Sequence, residues 1–181
     1  MRLHHTPQAR RLHHKMRNIE IKARLDDLPA ARRVAETLAT QRVDVQEQTD
    51  TYFRCANGRL KLRQISGQIS QLIWYVRPSD PQPKASEYHL TPVPKPETLM
   101  AALRTAMGIV NVVRKRREIY LWRNVRIHLD DVEGLGQFLE FEAVLSPEID
   151  EAAGRAELQG LMAEFDIQPK NLLAGSYIDM F

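Results

Sequence analysis

The chain has 181 residues, 43% of them hydrophobic and 27% charged, which is room for one ordinary domain with a core of its own. No apolar run reaches the roughly 20 residues that a membrane-spanning helix requires, and the first fifteen residues lack the apolar centre of a secretory signal. The single cysteine, Cys55, excludes an internal disulfide framework and fits a reducing compartment, which points to the cytoplasm.

The chain opens with MRLHHTPQARRLHHK, which holds Arg2, Arg10, Arg11 and Lys15 and no acid. The excess of 26 basic over 23 acidic residues is therefore local, and the remainder is close to neutral. Residues 1–15 read as a disordered basic leader. Its pairs His4-His5 and His13-His14 build no fixed metal geometry in a flexible segment, and Met16 offers an alternative start. Residues 16–181 read as a single domain. The near-neutral body, with few stacking aromatics beside its basic strands, argues against a nucleic-acid partner.

Ile19 to Leu25 alternates apolar and charged residues, the pattern of a strand. Pro29 opens a helix with Ala31, Val34, Ala35 and Leu38 at spacings of three and four. Strands near Thr51–Arg54 and Arg59–Ile65 are joined by Asn57-Gly58, a hairpin turn signal. A further strand covers about Gln71–Arg77, after which three prolines make Pro78–Ser86 a loop. Tyr88–Val93 is a weaker strand, since Pro92 suits an edge or an end. A helix from about Pro96 to Met107 stops at Gly108. Val112–Trp122, Asn124–Val132 and Gln137–Leu145 follow as strands. Ser146-Pro147 is expected to cap a last helix reaching about Phe165, with Leu158, Leu161, Met162 and Phe165 inward. About eight strands and three helices predict an α+β fold with a large antiparallel sheet or barrel.

Residues two apart in a strand share a face. Glu20, Lys22 and Arg24 fall together, as do Arg59, Lys61 and Arg63; Lys115 and Arg117; Arg126, His128 and Asp130; and Glu140 and Glu142. An ordinary solvent face is one reading of these sets. They consist almost wholly of Arg, Lys and Glu, however, and the helices need apolar sheet surface to cover. Helices outside a curved sheet would turn the charged faces inward. Buried charges must be paired or bound to ions, so such an interior calls for an anionic, metal-bearing ligand. Arg and Lys suit phosphate oxygens, and carboxylates suit Mg²⁺ or Mn²⁺. Trp74 and Trp122 read as core or helix-packing residues, His89 as an ordinary strand residue, and Cys55 as a small loop or strand residue.

Five segments in order, namely Asn18-Ile-Glu20-Ile-Lys22, Gln48-Thr-Asp-Thr-Tyr52-Phe53, Gly58-Arg59-Leu-Lys61-Leu-Arg63, Val113-Arg-Lys115-Arg-Arg117-Glu-Ile-Tyr120 and Leu129-Asp130 through Glu140-Phe-Glu142, resemble the CYTH superfamily. These are the triphosphate tunnel metalloenzymes, which include class IV adenylyl cyclases and thiamine triphosphatases. The final Ser176-Tyr177-Ile-Asp179 is similar to the family's ending. The resemblance runs from Arg17 to the C-terminus. It implies an eight-stranded antiparallel β-barrel, open at both ends, with three to four helices packed outside.

It further implies that Glu20, Asp130, Glu140 and Glu142 hold Mg²⁺ or Mn²⁺. Asp130 is preferred to Asp131 because it shares a face with His128, itself a weighed metal ligand. Lys22, Arg59, Lys61, Arg63, Arg77, Lys115 and Arg117 would bind the phosphates, with Lys22, Lys61, Lys115 and Tyr52 in catalytic roles. Asn18 stands where the family's first signature glutamate is found, which removes a charge and weakens one ligand. The implied activity is conversion of ATP to cyclic AMP and pyrophosphate, the branch to which Arg17–Arg24 is similar. Hydrolysis of tripolyphosphate or thiamine triphosphate is the alternative, and a non-catalytic polyphosphate- or nucleotide-binding module is a third reading kept open by Asn18. A homodimer is compatible with the resemblance.

Overall fold

A computed structural model describes residues 16–181, so the leader expected over residues 1–15 lies outside the described residues. The strands are β1 (Met16–Arg24), β2 (Gln41–Phe53), β3 (Arg59–Ile65), β4 (Ser70–Val76), β5 (Lys84–Val93), β6 (Ile109–Trp122), β7 (Val125–Val132) and β8 (Gly136–Val144). They close into an antiparallel barrel in the order β1-β5-β4-β3-β2-β6-β7-β8, with β8 paired back to β1. Closure leaves no open sheet edge.

Three helices cover the outside. Asp27 caps α1 (Leu28–Leu38) by accepting from the Ala30 amide at 2.8 Å, with Pro29 in the first turn. Its Ala31 and Ala35 join the outward apolar residues of β1, β7 and β8, among them Ile19, Ile21, Ile127, Leu129, Leu139 and Phe141. The helix α3 (Glu151–Glu164) adds Leu158 and Leu161 to that cluster, with Met162 and Phe165 partly buried against it. α2 (Pro96–Met107) lays Leu99, Leu103 and Met107 over Phe53, Leu62 and Val93. The apolar faces of β1, β7 and β8 thus point outward under α1 and α3, and those of β2 and β3 point outward under α2; the charged faces of these strands point into the barrel. No helix among the described residues is long and apolar enough to cross a membrane.

Four sequence expectations are corrected. β2 begins at Gln41 rather than near Thr51. Its first half carries only two apolar residues, Val43 and Val45, both exposed, which is too few to mark the strand. β5 begins at Lys84, inside the proline loop. The last helix is capped by Asp150, which accepts from the Ala153 amide at 2.8 Å, while Ser146 and Ile149 form an isolated bridge before it. Finally, one end of the barrel is covered. Leu172 bridges to Ala23, and the Leu173 amide donates to the Lys22 carbonyl. From there Ser176 reaches Tyr75, Tyr177 reaches Asp130, and Asp179 pairs with Arg59. The C-terminal segment therefore runs across that mouth from β1 to β3.

Asn57-Gly58 does form the β2–β3 turn. Gly58 has φ +69°, and a Cβ there would meet the Tyr75 carbonyl oxygen at 2.6 Å. Only glycine fits this approach.

Candidate active site

The barrel encloses a cavity of about 450 Å³. The parity argument places the inward residues, and the register brings them together: Lys61 stands opposite Tyr52, Lys115 opposite Gln48, Glu140 opposite both Lys22 and His128, and Glu142 opposite Glu20 and Arg126. Lys22, Lys61, Arg63, Arg77, Lys115, Arg117, Tyr52, Glu20, Glu140 and Glu142 all line the cavity.

Two charged regions face each other. On β2, β3 and β6, the Asp50 carboxylate accepts from Lys61 at 2.8 Å, from Arg63 at 2.7 and 2.8 Å, and from Lys115 at 3.0 Å. Burial would raise the Asp50 carboxyl, but Arg63, Lys115 and Lys61 together hold it well below the usual carboxylate range. One carboxylate cannot satisfy three cations. Burial lowers Lys115 to about 7, although Asp50 opposes the shift. Burial and then Arg63 lower Lys61 to about 8. Such cations gain most from a polyanion that replaces the water they have lost. Tyr52 lies beside them, its hydroxyl 3.5 Å from the Lys61 Nζ, and burial pushes it well above the ordinary phenol range. It remains a neutral donor.

On β1, β7 and β8 the carboxylates are matched by an equal number of cations. Glu140 accepts from Lys22 at 2.9 Å and Arg117 at 2.6 Å, and lies 3.5 Å from His128. Burial opposes its ionisation, yet Lys22, Arg117 and His128 hold it well below the usual range. Glu20 pairs with Arg77, and Glu142 with Arg126 at 3.6 Å. His128, Glu140 and Glu142 offer ligand atoms that all lie within 4.8 Å of one another. Burial, then Arg117, lowers His128, which keeps its imidazole neutral and able to ligate. The Asn18 Oδ1 is buried with no hydrogen-bond partner. Oxygen donors with one imidazole fit a hard divalent cation such as Mg²⁺ or Mn²⁺, so these residues suit the implied metal.

Two expected site residues fall elsewhere. Asp130 is inward and Asp131 outward, as the shared face required, but Asp130 is 0% exposed and does not line the cavity. Its two oxygens accept from Arg117, both at 2.6 Å, and from the Tyr177 hydroxyl at 2.6 Å. Its carboxylate supports the Arg117 guanidinium instead of facing the lumen. Arg59 also leaves the cavity, because Asp179 of the covering segment holds it at 2.8 Å.

The sequence reading missed Asp50, Lys84 and Ser176. Gln46, Gln48, Asp50 and Tyr52 alternate, a signal that would have found Asp50. Lys84, buried inside the expected loop, donates to the Leu173 and Ala174 carbonyls at 3.3 and 3.0 Å and tethers the C-terminal segment. Ser176 accepts from Arg77 at 2.6 Å. Trp74 donates to the Asn57 carbonyl at 2.9 Å, and Trp122 packs against the outer core, so both stand outside the site.

A closed barrel whose lumen holds clustered Lys and Arg opposite grouped carboxylates has the donor chemistry for an anionic ligand together with a divalent cation. The chain belongs to the CYTH domain family, whose profile matches residues 16–177. It is similar to "Putative adenylate cyclase MJ0240" of Methanocaldococcus jannaschii, at 25% identity over 91% of this chain and 98% of that one. Among solved structures, the PH1012 protein from Pyrococcus horikoshii OT3 has a TM-score of 0.80 at 24% identity, covering 91% of this chain and 99% of that chain. HpAC1 from Hippeastrum, described as revealing a dominant triphosphatase activity, has a TM-score of 0.65 at 19% identity, covering 91% and 94%. At these identities the two structures show the fold.

Proposed function

We propose that this protein is a metal-dependent enzyme that takes a triphosphate into the barrel, and that within this class it is an adenylyl cyclase converting ATP to cyclic AMP and pyrophosphate. The observation that carries the reading is the Asp50 cluster, where one buried carboxylate faces Lys61, Arg63 and Lys115. The cyclase assignment is supported by likeness along almost the whole chain to the M. jannaschii protein of that name.

In this reading Lys61, Arg63 and Lys115, with Lys22, Arg77 and Arg117, neutralise the phosphate oxygens and orient the chain of phosphates. Phosphoryl transfer asks mainly for such positioning and electrostatic stabilisation. The ribose 3′-oxygen attacks the α-phosphorus as the bond from that phosphorus to the β-bridging oxygen breaks. The hydroxyl proton is released, and pyrophosphate leaves with its charge held by the lysines and arginines. Tyr52, a neutral phenol, donates to a phosphate oxygen. Asp130 and Tyr177 hold Arg117 in its orientation. Glu20, Glu140 and Glu142, with His128 and the Asn18 Oδ1, would hold Mg²⁺ or Mn²⁺, which when bound offsets phosphate charge and acidifies the attacking oxygen.

A product assay tests this. The purified protein is incubated with ATP, thiamine triphosphate or tripolyphosphate and Mg²⁺ or Mn²⁺, and products are separated by chromatography. Cyclic AMP from ATP is the expected result. Orthophosphate without cyclic AMP makes the protein a triphosphatase and overturns the cyclase assignment. Absence of any product, together with a rise in melting temperature on adding triphosphate, leaves a binding module.

A further inference from the structure

Beyond the cationic cluster the cavity wall changes character. Gln48 on β2 stands between Lys115 of β6 and Ile65 of β3, and Gln46 stands opposite Arg117. Gln46, Gln48, Ile65 and Ile119 line the same cavity as the lysines.

The amides form a relay whose direction is set at one end. Asp44, held below its ordinary carboxylate value by hydrogen bonds from Gln46 and Gln68, is an acceptor only. Its Oδ2 accepts from the Gln68 Nε2 at 2.6 Å and the Gln46 Nε2 at 3.0 Å. The Gln46 Oε1 is thereby turned to accept from the Gln48 Nε2 at 2.5 Å. The last oxygen in the relay, the Gln48 Oε1, is buried and has no partner, on a residue that is 3% exposed. A flip of Gln48 would set oxygen against oxygen, so this orientation is enforced. An unpaired buried acceptor is costly and is the kind of group that a ligand satisfies.

We infer that Gln48, with its cross-strand neighbour Ile65 and with Ile119 on the same cavity wall, forms a subsite for the organic part of the triphosphate, and that its Oε1 accepts a hydrogen bond from an amino group on a flat heteroaromatic ring. Ile65 and Ile119 offer the apolar surface that a ring face needs, while Gln48 reads its edge. This deepens the proposed triphosphate function and rests on it. The chemical class is an amino-substituted heteroaromatic triphosphate, which adenosine, cytidine and thiamine triphosphates satisfy. Inosine and uridine triphosphates, with a ring carbonyl in that place, and tripolyphosphate, with no ring, do not. A site that hydrogen-bonds one substrate group rejects the analogue lacking it.

The test is equilibrium binding with divalent metal chelated, so that no turnover intervenes. The probes are ATP, inosine triphosphate, thiamine triphosphate and tripolyphosphate. Wild-type protein is expected to bind ATP about tenfold more tightly than inosine triphosphate, the worth of one good hydrogen bond. In Gln48→Leu the ratio should fall to about one. Asp44→Asn, at a partly exposed position, lets the relay reverse and should shrink the same ratio while the protein melts normally. The stronger of ATP and thiamine triphosphate identifies the organic body. Equal binding of ATP and inosine triphosphate to wild type overturns the inference, as does a preference that survives both substitutions. Binding of tripolyphosphate alone overturns it while sparing the triphosphate reading, whereas failure of all four probes sinks that reading as well.

Discussion

The two charged regions of the lumen solve the problem of burying charge in opposite ways. On β1, β7 and β8 four carboxylates meet four cations: Glu20 with Arg77, Glu140 with Lys22, Glu142 with Arg126, and Asp130 with Arg117, which also reaches Glu140. On β2, β3 and β6 a single carboxylate, Asp50, serves Lys61, Arg63 and Lys115. The first region is near charge balance. The second is left with excess positive charge that only an anion can satisfy. Breaking a buried pair by removing one partner costs far more than the pair contributes when intact, so the two regions should respond differently to substitution and to pH.

The largest effect is expected from Asp50→Ala. It strands three buried cations and should cost about 3–5 kcal/mol. At ~2–4 °C per kcal/mol for a chain of this size, the melting temperature should fall by roughly 10 °C, and tripolyphosphate should restore much of the loss. An unchanged melting temperature would mean that Asp50 does not anchor the cluster.

Turnover comes next. Lys115→Ala and Glu142→Ala, one from each region, should each lower the rate at least about 100-fold, as loss of a transition-state contact does, while the melting temperature stays within a few degrees. A variant that keeps its rate and its stability removes that region from the site.

The third expectation concerns pH. Burial lowers Lys115 to about 7 and Lys61 to about 8, well below the ordinary lysine value of 10.5. Between those values the unfolded chain binds more protons than the folded one, so these two lysines make stability rise as pH increases from about 7 toward 10. Anion affinity should fall over the same interval, because the bound anion favours the protonated lysines. Melting curves from pH 7 to 9.5, with and without tripolyphosphate, check both slopes. Parallel slopes would contradict a cationic cluster at these residues.

The smallest effect distinguishes lumen from rim. Arg59 is tied to Asp179 in a partly exposed ion pair, of the kind worth up to about 1 kcal/mol. Arg59→Ala should leave tripolyphosphate affinity within about twofold, whereas Arg63→Ala should lower it tenfold or more. Comparable losses in the two variants would bring Arg59 back to the phosphate path.

Much of this was legible before any fold. Alternation in β1, β3, β6 and β8 assigned Lys22, Lys61, Lys115, Glu140 and Glu142 to one side, because a strand's period of two fixes which residues share a face. The three helical stripes supplied the reason for that side to be the inside. Asp50 escaped notice because the strand is expected only from Thr51 onward, and Lys84 because the prolines masked the first residues of β5. The alternation of Gln46, Gln48, Asp50 and Tyr52 is there to be read, whereas Lys84 carries no local signal that outweighs its prolines.

Local sequence thus determined which residues alternate, where chain reversals fall, and that the charges travel together. Only tertiary structure decided that three cations converge on Asp50, that Asp130 turns to Arg117 and Tyr177, and that the Ser176–Asp179 segment covers one mouth. These outcomes depend on strands distant in sequence arriving in register, and on a C-terminal segment crossing from β1 to β3. Parity assigns a side chain to a face, but its partner is set by closure of the barrel.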